Sequence, residues 1–362
     1  MKTKYLIIFA LLSSIVFFSC EKESVVETNE QVTNKEVINK TEANLLVSSI
    51  AKLSIQKDFK DLVYQEINKK FDGDDNTLLN NLNSLIKSKN LKSANLSNDY
   101  ENIVSSLNAK GLYPQIYIPH YEESKLKSSK IEDSPVYIID ALSTPDSVES
   151  FQAIYVNSNG EIEETSFLID ESFANENEVW VISFNERVNH EGNIIEDNNL
   201  KSARVGTKSE YMMKINCPNL KEIEGWVKGA PELRCVMKSA KGEISDQYFY
   251  PSKRKYIDNK WWETNGSSGR YLYYWDIESY TKTVLFAWIE VDGAGDTHEF
   301  SGSFTYKDVD KETGQEYSAT ANYKITYKSW DQLCGSISVN IDDGRVGEEY
   351  STGLVKFINA YK

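Results

Sequence analysis

The chain has 362 residues, enough for two or three domains, and its 40% hydrophobic and 26% charged residues are typical of a globular protein. It carries 40 lysine and arginine residues against 55 aspartate and glutamate residues, a net charge of −15. This balance argues against a nucleic-acid partner and against adsorption on anionic lipid, because both depend on concentrated positive charge.

The first 19 residues have the build of a secretory signal peptide. Lys2 and Lys4 give a positive start, residues 5–18 are mostly apolar, and Ser19 precedes Cys20. The apolar run is too short for a comfortable membrane span. A small residue directly before cysteine resembles the bacterial lipoprotein cleavage site, at which Cys20 becomes the lipidated first residue. We therefore expect attachment to the membrane through lipid on Cys20, with cleavage of a plain signal peptide as the alternative.

Residues 20–42 are expected to form a flexible tether. They are rich in Glu, Asn, Thr, Val and Lys and show no clear apolar period, so they cannot bury enough surface to offset the entropy of ordering. The acidic run at 21–23 resembles the signal that sends lipoproteins to the outer face of the outer membrane. The sequence thus predicts a lipid-anchored outer-membrane protein, either surface-exposed or facing the periplasm.

Residues 43–111 are predicted to be helical. Apolar side chains at Phe59, Leu62, Val63 and Ile67 recur at intervals of three and four, which places them on one helix face. Gly111 provides a stop signal for the last helix. The pattern predicts a small bundle of three or four short helices.

Residues 112–208 form a predicted middle β region. The run LYPQIYIP ends at a proline, which indicates an edge strand. Asn159-Gly160 between two alternating runs is a strong hairpin signal. Strands are expected at 112–119, 136–139, 151–156, 162–168 and 179–184.

Residues 209–362 are predicted to form a C-terminal β-sandwich. Short strands recur at regular spacing, and turn pairs such as Asn265-Gly266 and Asp343-Gly344 separate them. The predicted fold class is therefore α+β: a small N-terminal helical bundle followed by mostly antiparallel β structure, ending in a β-sandwich.

Several stretches resemble a group of uncharacterised Bacteroidota lipoproteins. The likeness lies in the lipidation site, the helical segment around KFDGD (70–74), LYPQIYIP (112–119) and VWVISFNER (179–187). The stretch GWVKGAPE (225–232), together with Tyr274-Trp275-Asp276, is similar to C2-like sandwich domains attached to those proteins. The resemblance implies the same fold and location, and it brings no activity with it.

A calcium site is one expectation for the acidic turns. Asp308, Asp310 and Glu312 alternate before Gly314, and hard cations need several such oxygens on converging segments. Ordinary solvated turns are the alternative in so acidic a chain, so the sequence predicts either no cofactor or calcium. The C2-like resemblance adds loop acids that can gather calcium, namely Asp276, Asp292 and Asp296.

Two covalent features follow from short patterns. Cys217, Cys235 and Cys334 remain after the lipidation site, and a Cys217–Cys235 disulfide across neighbouring strands is compatible with an oxidising compartment. Three small buried apolar side chains are the alternative. Asp-Ser-Val at 146–148 resembles the sequence at which Bacteroidota attach O-glycans, which makes Ser147 a glycosylation candidate.

No catalytic motif stands out. His190 and His298 each precede a glutamate, but neither is followed by a histidine four residues on, as a zinc-protease helix requires. No Gly-x-Ser-x-Gly elbow occurs. A hydrolase whose site combines scattered Asp, Glu or His residues remains the enzyme alternative.

Aromatic residues are concentrated between 248 and 275, where ten occur in 28 positions. Trp261 and Trp262 are adjacent in a polar, turn-prone stretch, and Tyr273 and Trp275 share one strand face. Such rings can stack on sugars or anchor a protein interface. The alternative is that they pack in the core. In the strand at 284–291 both faces are apolar, so either two layers cover it or one face binds a ligand.

The sequence therefore predicts a binding or interaction module anchored in the cell envelope, with a glycan or an envelope protein as its ligand. The ligand-binding candidates are Trp261, Trp262, Tyr273 and Trp275. The alternatives are the hydrolase and a structural envelope component.

Overall fold

The computed structural model describes residues 38–89, 97–122, 134–142, 144, 148–195, 209–276, 279–292, 295–310, 312–342 and 347–362. The chain divides into two units, Met1–Lys35 and Glu36–Lys362, and all described residues belong to the second. The signal peptide, Cys20, most of the predicted tether and Ser147 lie outside the described residues.

Four helices make up the first described part of the chain. Asn39 caps the first, since its side chain accepts a hydrogen bond from the Glu42 backbone N–H at 2.9 Å. Ser97 caps the fourth in the same way through the Tyr100 N–H at 3.2 Å. The helices are α1 (Lys40–Ser54), α2 (Lys57–Ile67), α3 (Leu79–Ser88) and α4 (Asn98–Ala109).

A six-stranded sheet and a separate two-stranded pair follow. Their strands are β1 (Asn76–Leu78), β2 (Pro114–Tyr117), β3 (Tyr137–Asp140), β4 (Ser150–Phe151), β5 (Ala153–Val156), β6 (Ile162–Glu164), β7 (Ile169–Asp170) and β8 (Val179–Phe184). The order in the large sheet is β1-β2-β8-β3-β5-β6, antiparallel except for the β3–β8 pair, while β4 pairs with β7. A short helix, α5 (Glu171–Glu176), follows β7.

Strand β2 is not the edge strand that its proline indicated. It lies between β8 and β1, and β1 comes from the segment 43–111, which the sequence predicted to be helical. The proline that ends the run, Pro119, lies beyond β2 and takes no N–H from its ladder, and the other proline, Pro114, is the first residue of the strand, where a missing N–H disturbs the ladder least.

The four helices and the six-stranded sheet share one hydrophobic core. The apolar stripes of α1 and α2 cover the sheet face that carries Trp180 and Ile182. Trp180 is fully buried, its ring centroid lies 6.2 Å from that of Phe59, and its indole N–H donates to Glu178 at 2.9 Å. Within the described residues, no helix has the length and apolar character needed to cross a membrane.

The C-terminal part is a β-sandwich, which confirms the predicted α+β class. One sheet has the order β11-β10-β14-β17, and the other has the order β12-β9-β19-β18 with β13 also paired to β9. These elements are β9 (Ser209–Asn216), β10 (Leu233–Ser239), β11 (Gly242–Phe249), α6 (Arg254–Ile257), β12 (Trp262–Ser267), β13 (Arg270–Tyr274), β14 (Thr283–Glu290), β15 (Thr297–Val309), β16 (Glu316–Lys328), β17 (Gln332–Asn340), β18 (Glu349–Ser351) and β19 (Lys356–Tyr361).

A long hairpin of β15 and β16 covers the outer face of the β10–β14–β17 sheet. Phe304, Tyr323 and Ile325 of the hairpin pack on Leu285 and Ala287 of β14. The opposite face of β14, with Phe286 and Trp288, lies in the sandwich core. Both apolar faces of β14 are thus buried by covering layers, and neither is a ligand surface.

The three cysteines are free and buried, so the predicted Cys217–Cys235 disulfide is wrong. Cys217 directly follows β9 and Cys235 lies in β10, and these strands belong to different sheets of the sandwich. They are therefore not on neighbouring strands. Cys217, Cys235 and Cys334 all join the sandwich core as small apolar side chains.

Candidate functional site

Two of the four predicted ligand-binding aromatics lie in the core. Tyr273 is 4% exposed and Trp275 is 2% exposed. Their ring centroids are 5.2 Å apart, and the Trp275 indole N–H donates to Glu210 at 2.7 Å. Strand β13 turns this face toward the sandwich interior, so the assignment of Tyr273 and Trp275 as ligand contacts is wrong.

The other two, Trp261 and Trp262, line an open groove on the sandwich surface. The groove has a volume of about 470 Å³. Trp261 is 37% exposed, and Tyr256, on the opposite side of a tight turn, is 44% exposed. We call this feature the aromatic groove. The residues that line it are Lys255, Tyr256, Lys260, Trp261, Trp262 and Glu263.

The groove is held by the backbone around it. Helix α6 ends at the fully buried Ile257, whose carbonyl accepts from the Cys217 N–H at 3.1 Å. Asn259, with a φ of +49°, reverses the chain, and its N–H donates back to the Cys217 carbonyl at 2.8 Å. Trp262 pairs with Ile215 of β9 and packs against the core. Alternation then directs Trp261 to the solvent side.

The basic residues near the groove divide into structural and exposed groups. Arg254 is buried and donates to the backbone carbonyls of Glu224, Gly225 and Gly229 at 3.0–3.2 Å. Lys253 forms an ion pair with Glu122 at 2.6 Å. The lysines that line the groove are thus Lys255 and Lys260, and Glu263 is the acid among the lining residues, so the lining carries one more positive than negative charge on an acidic protein.

The predicted calcium ligands Asp308, Asp310 and Glu312 lie at the tip of the β15–β16 hairpin. Asp310 Oδ1 accepts hydrogen bonds from the Glu312 N–H, the Thr313 N–H and the Thr313 hydroxyl at 2.8–3.0 Å. Asp308 lies 3.5 Å from the Lys241 ammonium. The Asp310 carboxylate thus stabilises the turn, and Asp308 forms an ion pair with Lys241.

A different set of acids comes together in the described part of the chain. Glu186, Glu224 and Glu232 each place a carboxylate oxygen within 4.8 Å of the others. Burial, together with the neighbouring carboxylates, raises the pKa of Glu290 well above its usual range. Burial and Glu186 do the same to the pKa of Asp292. The sequence singled out none of the four glutamates, although Glu290 is a lone acid at the end of the apolar run 284–289.

A second cleft, of about 600 Å³, borders His120 and α5. The His120 backbone has a φ of +52°, a strained value for a residue other than glycine. Its Nε2 lies 3.7 Å from Glu171 Oε1, and the interaction with His120 lowers the pKa of that carboxyl. The other two histidines lie elsewhere: the His190 carbonyl accepts from Tyr113, and His298 packs on Tyr327.

Comparison of the chain with protein-family models, with curated proteins and with solved structures gives no match. The fold and the groove define the protein by class alone. It is an α+β protein whose C-terminal β-sandwich carries an exposed aromatic groove.

Proposed function

We propose that the protein is a lipid-anchored binding module of the cell envelope, and that the aromatic groove takes a glycan. The observation that carries the proposal is the exposure of Trp261 and Tyr256 beside Lys255 and Lys260 in one groove. Membrane attachment through lipid on Cys20 and location in the outer membrane are parts of the same proposal, supported by the residues around the cleavage site.

The chemistry of the groove favours sugar over an extended apolar ligand. An indole face and a phenol ring offer flat apolar surfaces with polar edges, which suit the C–H face and the hydroxyls of a pyranose. The two lysines add attraction for carboxylate or sulfate groups. The open shape leaves both ends of a chain free to extend into solvent. The ligand class is therefore a glycan, with acidic sugars preferred.

The test is a glycan and polysaccharide binding screen on the purified full-length chain. Trp261→Ala and Tyr256→Ala are each expected to weaken binding about 10- to 30-fold, since truncating an aromatic contact residue costs about 1.4 to 2 kcal/mol. Tyr317→Ala is the matched control, because Tyr317 is 43% exposed but lies on the β15–β16 hairpin. Binding to an acidic glycan is expected to weaken as salt concentration rises.

The screen separates the proposal from its alternatives. Loss of binding in the two groove variants but not in Tyr317→Ala supports a glycan module. A folded wild-type protein that binds no glycan contradicts it, and co-purification with an envelope protein would then favour a protein ligand or a structural role. A bound glycan that is shortened on incubation would favour the hydrolase alternative and direct attention to the cleft beside His120.

A further inference from the structure

A buried group of charged side chains lies where the six-stranded sheet meets the sandwich. It is assembled from three separate chain segments: the residues just after β8, the connection between β9 and β10, and the end of β14. We call it the junction cluster, and its members are Glu186, Glu224, Lys228, Glu232, Glu290 and Asp292.

The carboxylates of the cluster crowd together. Carboxylate oxygens of Glu186, Glu224 and Glu232 lie within 4.8 Å of one another. The Glu232 backbone N–H also donates to Glu290 Oε1, at an N–O distance of 3.4 Å. The Glu290 carboxylate therefore lies beside Glu232 and borders this group. The Lys228 ammonium lies 2.7 Å from Glu186 and 3.5 Å from Asp292.

Negative charge exceeds positive charge in this space. Five carboxyl groups share it with Lys228 and with Arg187, whose Nε donates to Glu232 Oε1. A buried surplus of like charge is unfavourable unless protons or a cation balance it.

A second observation points to a cation. Among the described residues, neither Glu290 Oε2 nor Glu232 Oε2 has a hydrogen-bond donor. Glu290 is 0% exposed and Glu232 is 4% exposed, so solvent cannot supply one freely. Buried carboxylate oxygens are normally satisfied, and two unsatisfied oxygens at one carboxylate cluster are what an ion-binding site shows without its ion.

We propose that the junction cluster binds one calcium ion through carboxylate oxygens of Glu186, Glu224, Glu232 and Glu290. The set contains oxygens alone, with no histidine or cysteine, which disfavours zinc. Magnesium keeps several waters and demands near-ideal octahedral geometry, whereas calcium accepts many carboxylates in irregular arrangements. The side chains are 6% exposed at Glu186 and 10% at Lys228, which leaves little access for a hydrated magnesium ion.

The ion would fasten three chain segments to one another. Glu186 follows β8 of the six-stranded sheet, Glu224 and Glu232 lie in the connection between β9 and β10, and Glu290 ends a central sandwich strand. Because an unfolded chain cannot hold these segments together, calcium would bind the folded protein and raise its stability. This role is independent of the aromatic groove.

The test uses the purified full-length chain, stripped with EDTA and titrated with Ca²⁺ by calorimetry and by thermal unfolding. We expect one ion per chain and a rise in Tm of about 5 °C at a concentration about 100-fold above Kd. Glu224→Gln and Glu290→Gln are expected to lose both signals. Glu312→Gln, which removes one carboxylate from the exposed hairpin tip, is the matched control and is expected to keep both.

A further measurement guards against variants that lose binding because they misfold. In EDTA, Glu290→Gln is expected to melt no lower than wild type, since one repelling carboxylate has gone. Calcium that leaves the wild-type Tm unchanged would overturn the proposal, as would an equal rise in Glu224→Gln and Glu290→Gln. A rise of the same size with Mg²⁺ would overturn the assignment to calcium.

Discussion

Replacing Arg187 with methionine should destabilise the protein more than most single substitutions. Arg187 is 5% exposed and forms an ion pair with Glu232. It also donates to the backbone carbonyls of Asp72, Ala230 and Pro251 at 3.1–3.3 Å. The guanidinium thus ties the segment before β1 and the residues after β8 to the sandwich.

The magnitude follows from what the substitution leaves behind. Removing one partner of a buried ion pair costs about 3 to 5 kcal/mol, because the remaining charge stays buried and unpaired. Three carbonyls also lose a donor, although these losses do not add fully to the first. We expect Arg187→Met to lower the free energy of unfolding by about 4 kcal/mol. Arg187→Lys keeps the charge but loses the planar guanidinium with its several donors. We expect it to lower the free energy of unfolding by about half as much as Arg187→Met.

Urea unfolding in EDTA, with m-values checked against wild type, measures these losses without any contribution from a bound cation. The double variant Arg187→Met/Glu232→Gln is expected to lose about 1 to 3 kcal/mol less than the sum of the two single variants, since the Glu232 charge is then no longer left unpaired. A loss below about 1 kcal/mol for Arg187→Met, or additive losses in the cycle, would refute the reasoning.

Two further predictions concern other parts of the fold. Gly229 has a φ of +110°, and a Cβ there would lie 2.6 Å from Asp74 Oδ2. Gly229→Ala should therefore lower the free energy of unfolding, measured in urea, by about 2 to 3 kcal/mol. A loss below about 0.5 kcal/mol would contradict this. The hydrogen bond from Lys253 lowers the pKa of Glu122 to about 2, below its unfolded value. The Glu122–Lys253 ion pair therefore contributes to stability above pH 4.5, and this contribution is lost as pH falls toward 2. Glu122→Gln should lower the Tm at pH 6 and should match the wild-type Tm near pH 2. An unchanged difference in Tm between pH 6 and pH 2 would count against that ion pair.

Local patterns in the sequence determined most of the elements. The apolar spacing of three and four predicted the helices, because a 3.6-residue period puts those side chains on one face. Strand β8 was predicted with the bounds observed, and the hairpin at Asn159-Gly160 joins β5 to β6, with Gly160 at a φ of +81°. These features depend on residues close in sequence, so the sequence alone predicted them.

Long-range contacts decided what lies on the surface and which side chains meet. The sequence predicted that both faces of β14 are apolar, but only the fold decided that the β15–β16 hairpin covers one of them. In the same way, periodicity could not tell the buried Trp275 from the exposed Trp261. The order of the strands placed β2 in the interior of its sheet. It also placed Cys217 and Cys235 in different sheets of the sandwich.

The junction cluster is the clearest case of a feature that long-range contacts decide and local sequence patterns do not. Glu186 and Glu290 are separated by more than 100 residues, and no spacing rule connects them. Their approach depends on how the connection between β9 and β10 crosses from one sheet to the other. The sequence determined which segments are helices, strands and turns, whereas the packing of those segments decided which charges are buried together.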